Sequence, residues 1–160
     1  MSKKLFLLPV LFGALLMFTP ACNQDECKDV ECGANGACFS GTCVCDDGYE
    51  EDAEGLCNTE WRAKFLGTYN VAEVCGGTPS GNFSSTVTVS SQDVTKVIIS
   101  NFGDSGVAVT CDITGPDRIS VPTATVQGLA ISGSGTISGN TLTITYSSTA
   151  FNCTMTMTKL

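Results

Sequence analysis

The stretch from Cys27 to Cys57 reads CKDVECGANGACFSGTCVCDDGYEEDAEGLC, with cysteines at 27, 32, 38, 43, 45 and 57. Its larger apolar residues are too few to form a hydrophobic core in so short a segment. Disulfide bonds, worth about 2–4 kcal/mol each, supply that stability, although counting does not choose among the fifteen pairings of six cysteines. Zinc ligation is the alternative, but the chain has no histidine and no Cys-x2-Cys pair. We therefore expect a disulfide framework.

This spacing, with Gly48 and Tyr49 after the fifth cysteine, resembles an epidermal-growth-factor-like (EGF-like) module. The resemblance covers about residues 25–58, with the module itself at 27–58. Gly48 suits a turn that needs a positive φ angle. The family's pairing of first with third, second with fourth and fifth with sixth cysteine implies the bridges Cys27–Cys38, Cys32–Cys43 and Cys45–Cys57.

The first 21 residues have the pattern of a signal peptide, with Lys3 and Lys4, an apolar run at 5–18 and small residues before Cys22. The run is too short to span a bilayer, which needs about 20 residues. Cys22 resembles the lipidation site of bacterial lipoproteins, and acylation there implies a membrane anchor. Thr19 stands where that family has leucine, so simple cleavage after Ala21 is the alternative. We expect an exported outer-membrane lipoprotein that faces the cell exterior.

The acidic tether at 22–26 has two interpretations. Acidic residues after the lipidated cysteine resemble a surface-export signal of Gram-negative lipoproteins. The same residues resemble the start of a calcium-binding EGF-like module, which implies oxygen ligands from Asn23, Asp25 and Glu26. That family's further ligand between the third and fourth cysteines is missing, because 39–42 is Phe-Ser-Gly-Thr. A solvated tether without calcium is therefore the alternative.

Charge is unevenly distributed along the chain, whose formal net charge is −8. Residues 23–60 contain eleven acidic residues and one lysine, whereas 61–160 contain five acidic and five basic residues. An acidic run of this kind usually keeps a module soluble and away from anionic lipid. The chain lacks the clustered lysine and arginine that bind phosphates, so we expect no nucleic-acid partner.

Residues 61–160 change to a composition rich in Ser, Thr, Gly and β-branched residues with period-two alternation. The alternation and the turn residues predict about eight short antiparallel strands, near 67–75, 83–90, 94–101, 106–112, 117–121, 124–130, 133–138 and 141–158, the last holding a hairpin. We place Val89 on the inner face of its strand, and Gly133-Ser134-Gly135 at a turn between strands. Such a meander hides its edges by closing into a barrel, with a β-sandwich as the alternative.

Three cysteines of this second region, Cys75, Cys111 and Cys153, are in phase with inward-facing residues. In a closed antiparallel barrel the end of the first strand lies beside the start of the last, so we expect a Cys75–Cys153 bridge and a buried Cys111 thiol. The segment 61–69, a helical turn followed by Gly67-x-Tyr69, resembles the start of lipocalin- or calycin-like barrels. That resemblance implies an apolar ligand, although inward aliphatic residues that fill the barrel are the alternative.

We expect no catalytic activity, because the chain has no histidine for acid–base chemistry. A carboxylate pair for glycoside hydrolysis would have to come from Glu73, Asp93, Asp104, Asp112 and Asp117, and several of these occupy turns. The leading hypothesis is a membrane-anchored surface lipoprotein with an adhesive or structural role, in which the EGF-like module is a stalk or contacts a protein or glycan. The alternatives are a small-ligand carrier and a calcium-dependent adhesion protein.

Overall fold

The computed structural model describes residues 26–160. The predicted signal peptide, Cys22, Asn23 and Asp25 therefore lie outside the described residues. The N-terminal region, which we call the module, comprises residues 26–60. It holds two small antiparallel sheets, β1 (Gly36–Phe39) with β2 (Thr42–Cys45), and β3 (Tyr49–Glu50) with β4 (Thr59–Glu60). Its three disulfides have the pairing implied by the resemblance, namely Cys27–Cys38, Cys32–Cys43 and Cys45–Cys57.

The rest of the chain forms a closed antiparallel barrel of eight strands, which confirms the predicted fold class. Each strand pairs with the next along the chain, and the last pairs with the first. The strands are β5 (Gly67–Cys75), β6 (Thr78–Val89), β7 (Lys96–Ile99), β8 (Val109–Gly115), β9 (Arg118–Val126), β10 (Leu129–Ser138), β11 (Thr141–Ser147) and β12 (Asn152–Lys159). Two short 3-10 turns, Trp61–Lys64 and Phe102–Asp104, lie at opposite ends of the barrel.

Several strand boundaries differ from the prediction, the largest difference being that the predicted strand 124–130 contains the turn between β9 and β10. The expected break near Pro122 is absent, and β9 continues through it to Val126. Proline lacks the N–H that a central strand needs, but β8 pairs with β9 only over Arg118–Ser120, and a bulge in the β9–β10 pairing leaves Pro122 outside the register. The strand therefore tolerates proline at this position.

Gly133 and Gly135 lie within β10 and not in a turn, so that prediction was wrong. A Cβ on Gly133 would lie 2.3 Å from the Thr145 carbonyl oxygen, and one on Gly135 would lie 2.4 Å from that of Thr143. Both glycines permit a close approach of β10 to β11.

Twenty buried apolar side chains fill the barrel, including Phe65, Phe102 and Leu142, each 0% exposed. Val89 is an exception to the predicted alternation, because it ends β6 and is 51% exposed. The expected Cys75–Cys153 bridge joins directly opposed residues of β5 and β12. Cys111 is the free cysteine among residues 26–160, and burial raises the pKa of its thiol to about 12.

The module packs against one end of the barrel, which we call the module end. Gly48 lies there with φ of +94°, and a Cβ at this position would lie 2.8 Å from Val94 Cγ1. Its carbonyl oxygen accepts a hydrogen bond from the Trp61 backbone N–H. Close packing therefore reinforces the requirement for glycine that the turn conformation already imposes.

Candidate binding surfaces

The β1–β2 hairpin has two very different faces. Cys38, Cys43 and Cys45 point to one side, where Gly36 lies so close to Cys57 that a Cβ would be 2.4 Å from its sulfur. The other side carries Ala37 and Val44 opposite each other, with Phe39 opposite Thr42. Phe39 is 73% exposed and Val44 is 55% exposed. We call Ala37, Phe39, Thr42 and Val44 the hairpin face, a solvent-exposed apolar surface on a covalently fixed support.

Acidic residues lie at both ends of this hairpin. Glu26 packs beside the β1–β2 turn, since its Cβ lies 3.5 Å from the position of a Cβ on Gly41. Asp46 and Asp47 follow β2 directly, and both are exposed. Neither of these two side chains makes an ion pair within the described residues. The hairpin face therefore lies in a region of uncompensated negative charge.

One acidic residue of the module, Asp52, is hydrogen-bonded within the protein. Asp52 accepts hydrogen bonds from the Glu54 and Leu56 backbone N–H groups and from the Asn58 amide. These bonds, the one from Leu56 first, lower the pKa of the Asp52 carboxyl. Asp52 thus organises the loop between β3 and β4, a role that charge counting from the sequence did not distinguish from solvation.

Basic residues at the start of the barrel region connect it to the module. Lys64 Nζ lies 3.1 Å from Glu50 of the module and 3.3 Å from Asp117 of the barrel. Arg62 pairs with Glu60 at 2.7 Å and donates to the Ser90 and Asp93 carbonyl oxygens. The position of two of the barrel's five basic residues directly after the acidic block was the available sequence signal for this contact.

Trp61 lines two clefts at the same end of the barrel. One, of about 270 Å³, is formed with Asp47 of the module and with Thr95 and Ile113. The other, of about 410 Å³, is formed with residues 114–118. The indole is half-buried and packs partly against the barrel core. Its Nε1 is buried and has no hydrogen-bond partner within residues 26–160. Sequence reasoning placed Trp61 only as a residue before the strands.

The far end of the barrel contains a buried carboxylate. Glu73 is 6% exposed and accepts hydrogen bonds from the Tyr146 hydroxyl at 2.6 Å and from Ser80 at 2.7 Å. Burial and the bond to Glu73 raise the pKa of Tyr146. The Phe102 ring packs edge-on against Tyr146 at 4.9 Å. These side chains lie at the end of the barrel opposite the Trp61–Lys64 turn.

Glu73 also lies near the sulfurs of Cys75 and Cys153, within 4.8 Å. The two sulfurs bond to each other, so they are unavailable as thiolate ligands in this state. Of the three calcium ligands expected from the sequence, only Glu26 is described, and it is exposed. Calcium binding therefore stays a prediction.

The other carboxylates considered for catalysis are scattered. Asp93 accepts hydrogen bonds from Thr95 in the β6–β7 turn, and these lower the pKa of its carboxyl. Asp112 pairs with Lys96 on neighbouring strands. Asp104 lies in the 3-10 turn at the far end, and Asp117 lies in the β8–β9 turn at the module end. The absence of catalytic activity stays a prediction.

Comparison with protein-family models, with curated proteins and with solved structures found no match for this chain. The four disulfides are compatible with an exported, extracellular protein. Within residues 26–160, every helix is too short or too polar to cross a membrane.

Proposed function

We propose that the protein is a non-catalytic surface lipoprotein, anchored through Cys22, that contacts a protein partner through the hairpin face of its EGF-like module. The observation that carries this proposal is the exposure of Phe39 and Val44 on the same face of a disulfide-fixed hairpin. Aromatic anchors on rigid supports are typical of protein contacts, because little conformational entropy is lost on binding.

The surrounding charge favours a particular kind of partner. Glu26 lies beside the β1–β2 turn and Asp46 directly follows β2, and Lys28 is the one basic residue of the module. A partner with apolar residues bordered by lysine or arginine complements this surface in both respects. The same negative charge keeps an anchored module away from anionic lipid.

The position of the module supports the proposed arrangement. Ion pairs from Lys64 and the close packing at Gly48 attach the module to the barrel. The hairpin face is directed to solvent and not into that contact. A lipid anchor at Cys22 would lie only five residues before Cys27, so the module would be the part of the protein nearest the membrane.

A small-ligand carrier is less well supported. A carrier needs a cavity of about 300 Å³ or more, whereas the clefts described above open at the module end and not into the barrel. The barrel positions that would surround a ligand are occupied by buried side chains such as Tyr69, Ile144 and Met155.

Adhesion assays with a deletion strain of the producing bacterium test the proposal. Complementation with the wild-type gene should restore adhesion to cells or surfaces, and the Phe39→Asp variant should not. Val89→Asp is the matched control, because Val89 is also an exposed apolar residue but lies on the barrel. Equal adhesion by both variants would contradict the role of the hairpin face.

Intact mass of protein from the membrane fraction tests the anchor. We expect acyl chains on Cys22 and, after denaturation and alkylation without reduction, one added group, on Cys111. A mature chain without acyl groups would contradict the lipoprotein assignment. More than one alkylated cysteine in an acylated chain would contradict the four bridges.

A further inference from the structure

The two clefts beside Trp61 share no residue with the hairpin face, and the smaller one combines residues of the module and the barrel. They share Trp61 and Thr114. Asp47 of the module borders the smaller cleft, and Asp117 and Arg118 of the barrel border the larger one. The volume of the larger cleft, about 410 Å³, is within the range typical of small-ligand sites. The seam between module and barrel thus forms a concave surface with an aromatic ring at its centre.

Several polar groups of these clefts are unused by the protein. The side chains of Asp47, Thr114 and Arg118 make no hydrogen bond or ion pair within the described residues. Asp117 differs, because Lys64 holds it at 3.3 Å. A free carboxylate in the smaller cleft, a free guanidinium in the larger one and a free hydroxyl in both therefore line the clefts with Trp61. They offer both hydrogen-bond acceptors and donors.

The charged residues around the clefts limit the kind of ligand that can bind. An anion would approach a module with ten acidic residues and one lysine in 26–60, which is unfavourable. A cation would face the unpaired guanidinium of Arg118. A neutral polyol is repelled neither by the acidic module nor by Arg118. Its hydroxyl groups can donate hydrogen bonds to Asp47 and accept them from Arg118 and Thr114. The apolar C–H face of a pyranose ring packs well on the exposed part of a half-buried indole, which combines an apolar body with polar surroundings.

We propose that this seam is a binding site for a neutral saccharide, with Trp61 as the stacking platform and Asp47, Thr114 and Arg118 as hydrogen-bonding groups. Because a cleft lies on each side of the shared residues, the site suits an oligosaccharide of more than one ring. Binding would also depend on the docked arrangement of module and barrel, since Asp47 comes from one and Arg118 from the other. The site does not rest on the hairpin face or on the proposed protein partner.

Trp61 is the single tryptophan of the chain, so its fluorescence reports directly on the site. The oxidised mature chain would be titrated with maltohexaose, cellohexaose and chitohexaose, and calorimetry would confirm any affinity obtained. We expect a saturable change in emission with at least one of these oligosaccharides. Asp47→Asn and Arg118→Ala should each weaken binding about tenfold or more, since each removes hydrogen bonds to a charged group.

Glu51→Gln is the matched control, because it makes the same change of charge as Asp47→Asn on an exposed residue of the same module that does not line the clefts. It should leave the affinity unchanged. Trp61→Phe, measured by calorimetry, should retain part of the affinity, since a smaller ring remains. The proposal is overturned if none of the three oligosaccharides binds, or if Glu51→Gln weakens binding as much as Asp47→Asn.

Discussion

The module and the barrel obtain their stability in different ways. Among the apolar residues of the module, the structure buries only Cys32 and Cys57, whereas the barrel buries twenty. The module has three disulfides and the barrel has one. A region of about 35 residues cannot exclude enough water to fold by burial alone, so it depends on covalent links. The barrel is large enough to fold on its hydrophobic core.

The surfaces of the module and the barrel also differ. The module is strongly acidic and the barrel is electrically balanced. Covalent links allow the module to tolerate like charges close together, and they leave its few apolar side chains, Phe39 and Val44, free for an outside contact. The barrel uses its apolar residues internally.

The largest expected effect is in the barrel core. Leu142→Ala removes a fully buried side chain and should lower the free energy of unfolding of the barrel by about 2–5 kcal/mol. Urea unfolding followed by circular dichroism measures this change. Val89→Ala, on an exposed residue of the same barrel, should cost about 0.5 kcal/mol or less. Similar losses for the two variants would contradict the assignment of the core.

A smaller loss is expected at the seam. Gly48→Ala places a Cβ 2.8 Å from Val94 in a left-handed conformation, and it should cost about 1–3 kcal/mol. Gly55 has a comparable φ of +80°, and a Cβ there would have no neighbouring atom within 4 Å. Gly55→Ala therefore measures the cost of the left-handed backbone conformation alone. If the two substitutions have equal effects in thermal unfolding, the module does not pack on the barrel through Gly48.

The two regions should respond to opposite extremes of pH. The lowered pKa of Asp52 means that its contribution to module stability is present above pH about 4 and is lost as pH falls through the folded pKa. Burial raises the pKa of Tyr69 from 10.0 to about 12 and that of Cys111 from 9.0 to about 12. Their contribution to barrel stability is present below pH about 9 and is lost as pH rises toward 12.

Amide hydrogen exchange, measured across the pH range and corrected for the intrinsic exchange rates, checks this difference in pH sensitivity between the module and the barrel. Asp52→Asn should remove part of the acid sensitivity of the β3–β4 loop without changing the alkaline response of the barrel. A barrel that loses protection first in acid would contradict the prediction.

The smallest effect is expected for the ion pairs of Lys64. Its ammonium is partly exposed between Glu50 and Asp117, so Lys64→Met should cost about 1 kcal/mol or less. The cost should shrink as salt is added. Lys28→Met is the control, because Lys28 is exposed and has no ion pair within residues 26–160. A cost that does not depend on salt would show that Lys64 contributes by packing and not by charge.

The fold was largely predictable because its determinants are local or periodic. Period-two alternation placed Cys75 and Cys153 on the inner face at the ends of the first and last strands, and barrel closure then brought them together. The boundaries near Pro122 and Gly133 were not predictable from local preference. The boundary near Pro122 depends on which neighbouring strand still pairs with β9 at that residue. The boundary near Gly133 depends on how closely β10 approaches β11.

The candidate binding surfaces were less predictable. The exposure of Phe39 depends on which face of the hairpin the bridges occupy, and the sequence does not state this. The clefts at Trp61 require the module and the barrel to pack together, which depends on contacts such as Glu50 with Lys64 that are distant along the chain. Asp47 and Arg118 line neighbouring clefts that share Trp61 only because of that packing.

Hydrogen exchange during stepwise reduction tests the central claim most directly, namely that covalent links hold the module and a hydrophobic core holds the barrel. With increasing thiol reductant, amides of β1 and β2 should lose protection while those of β5, β11 and β12 remain protected. Module and barrel amides that lose protection together at the same reductant concentration would contradict the claim.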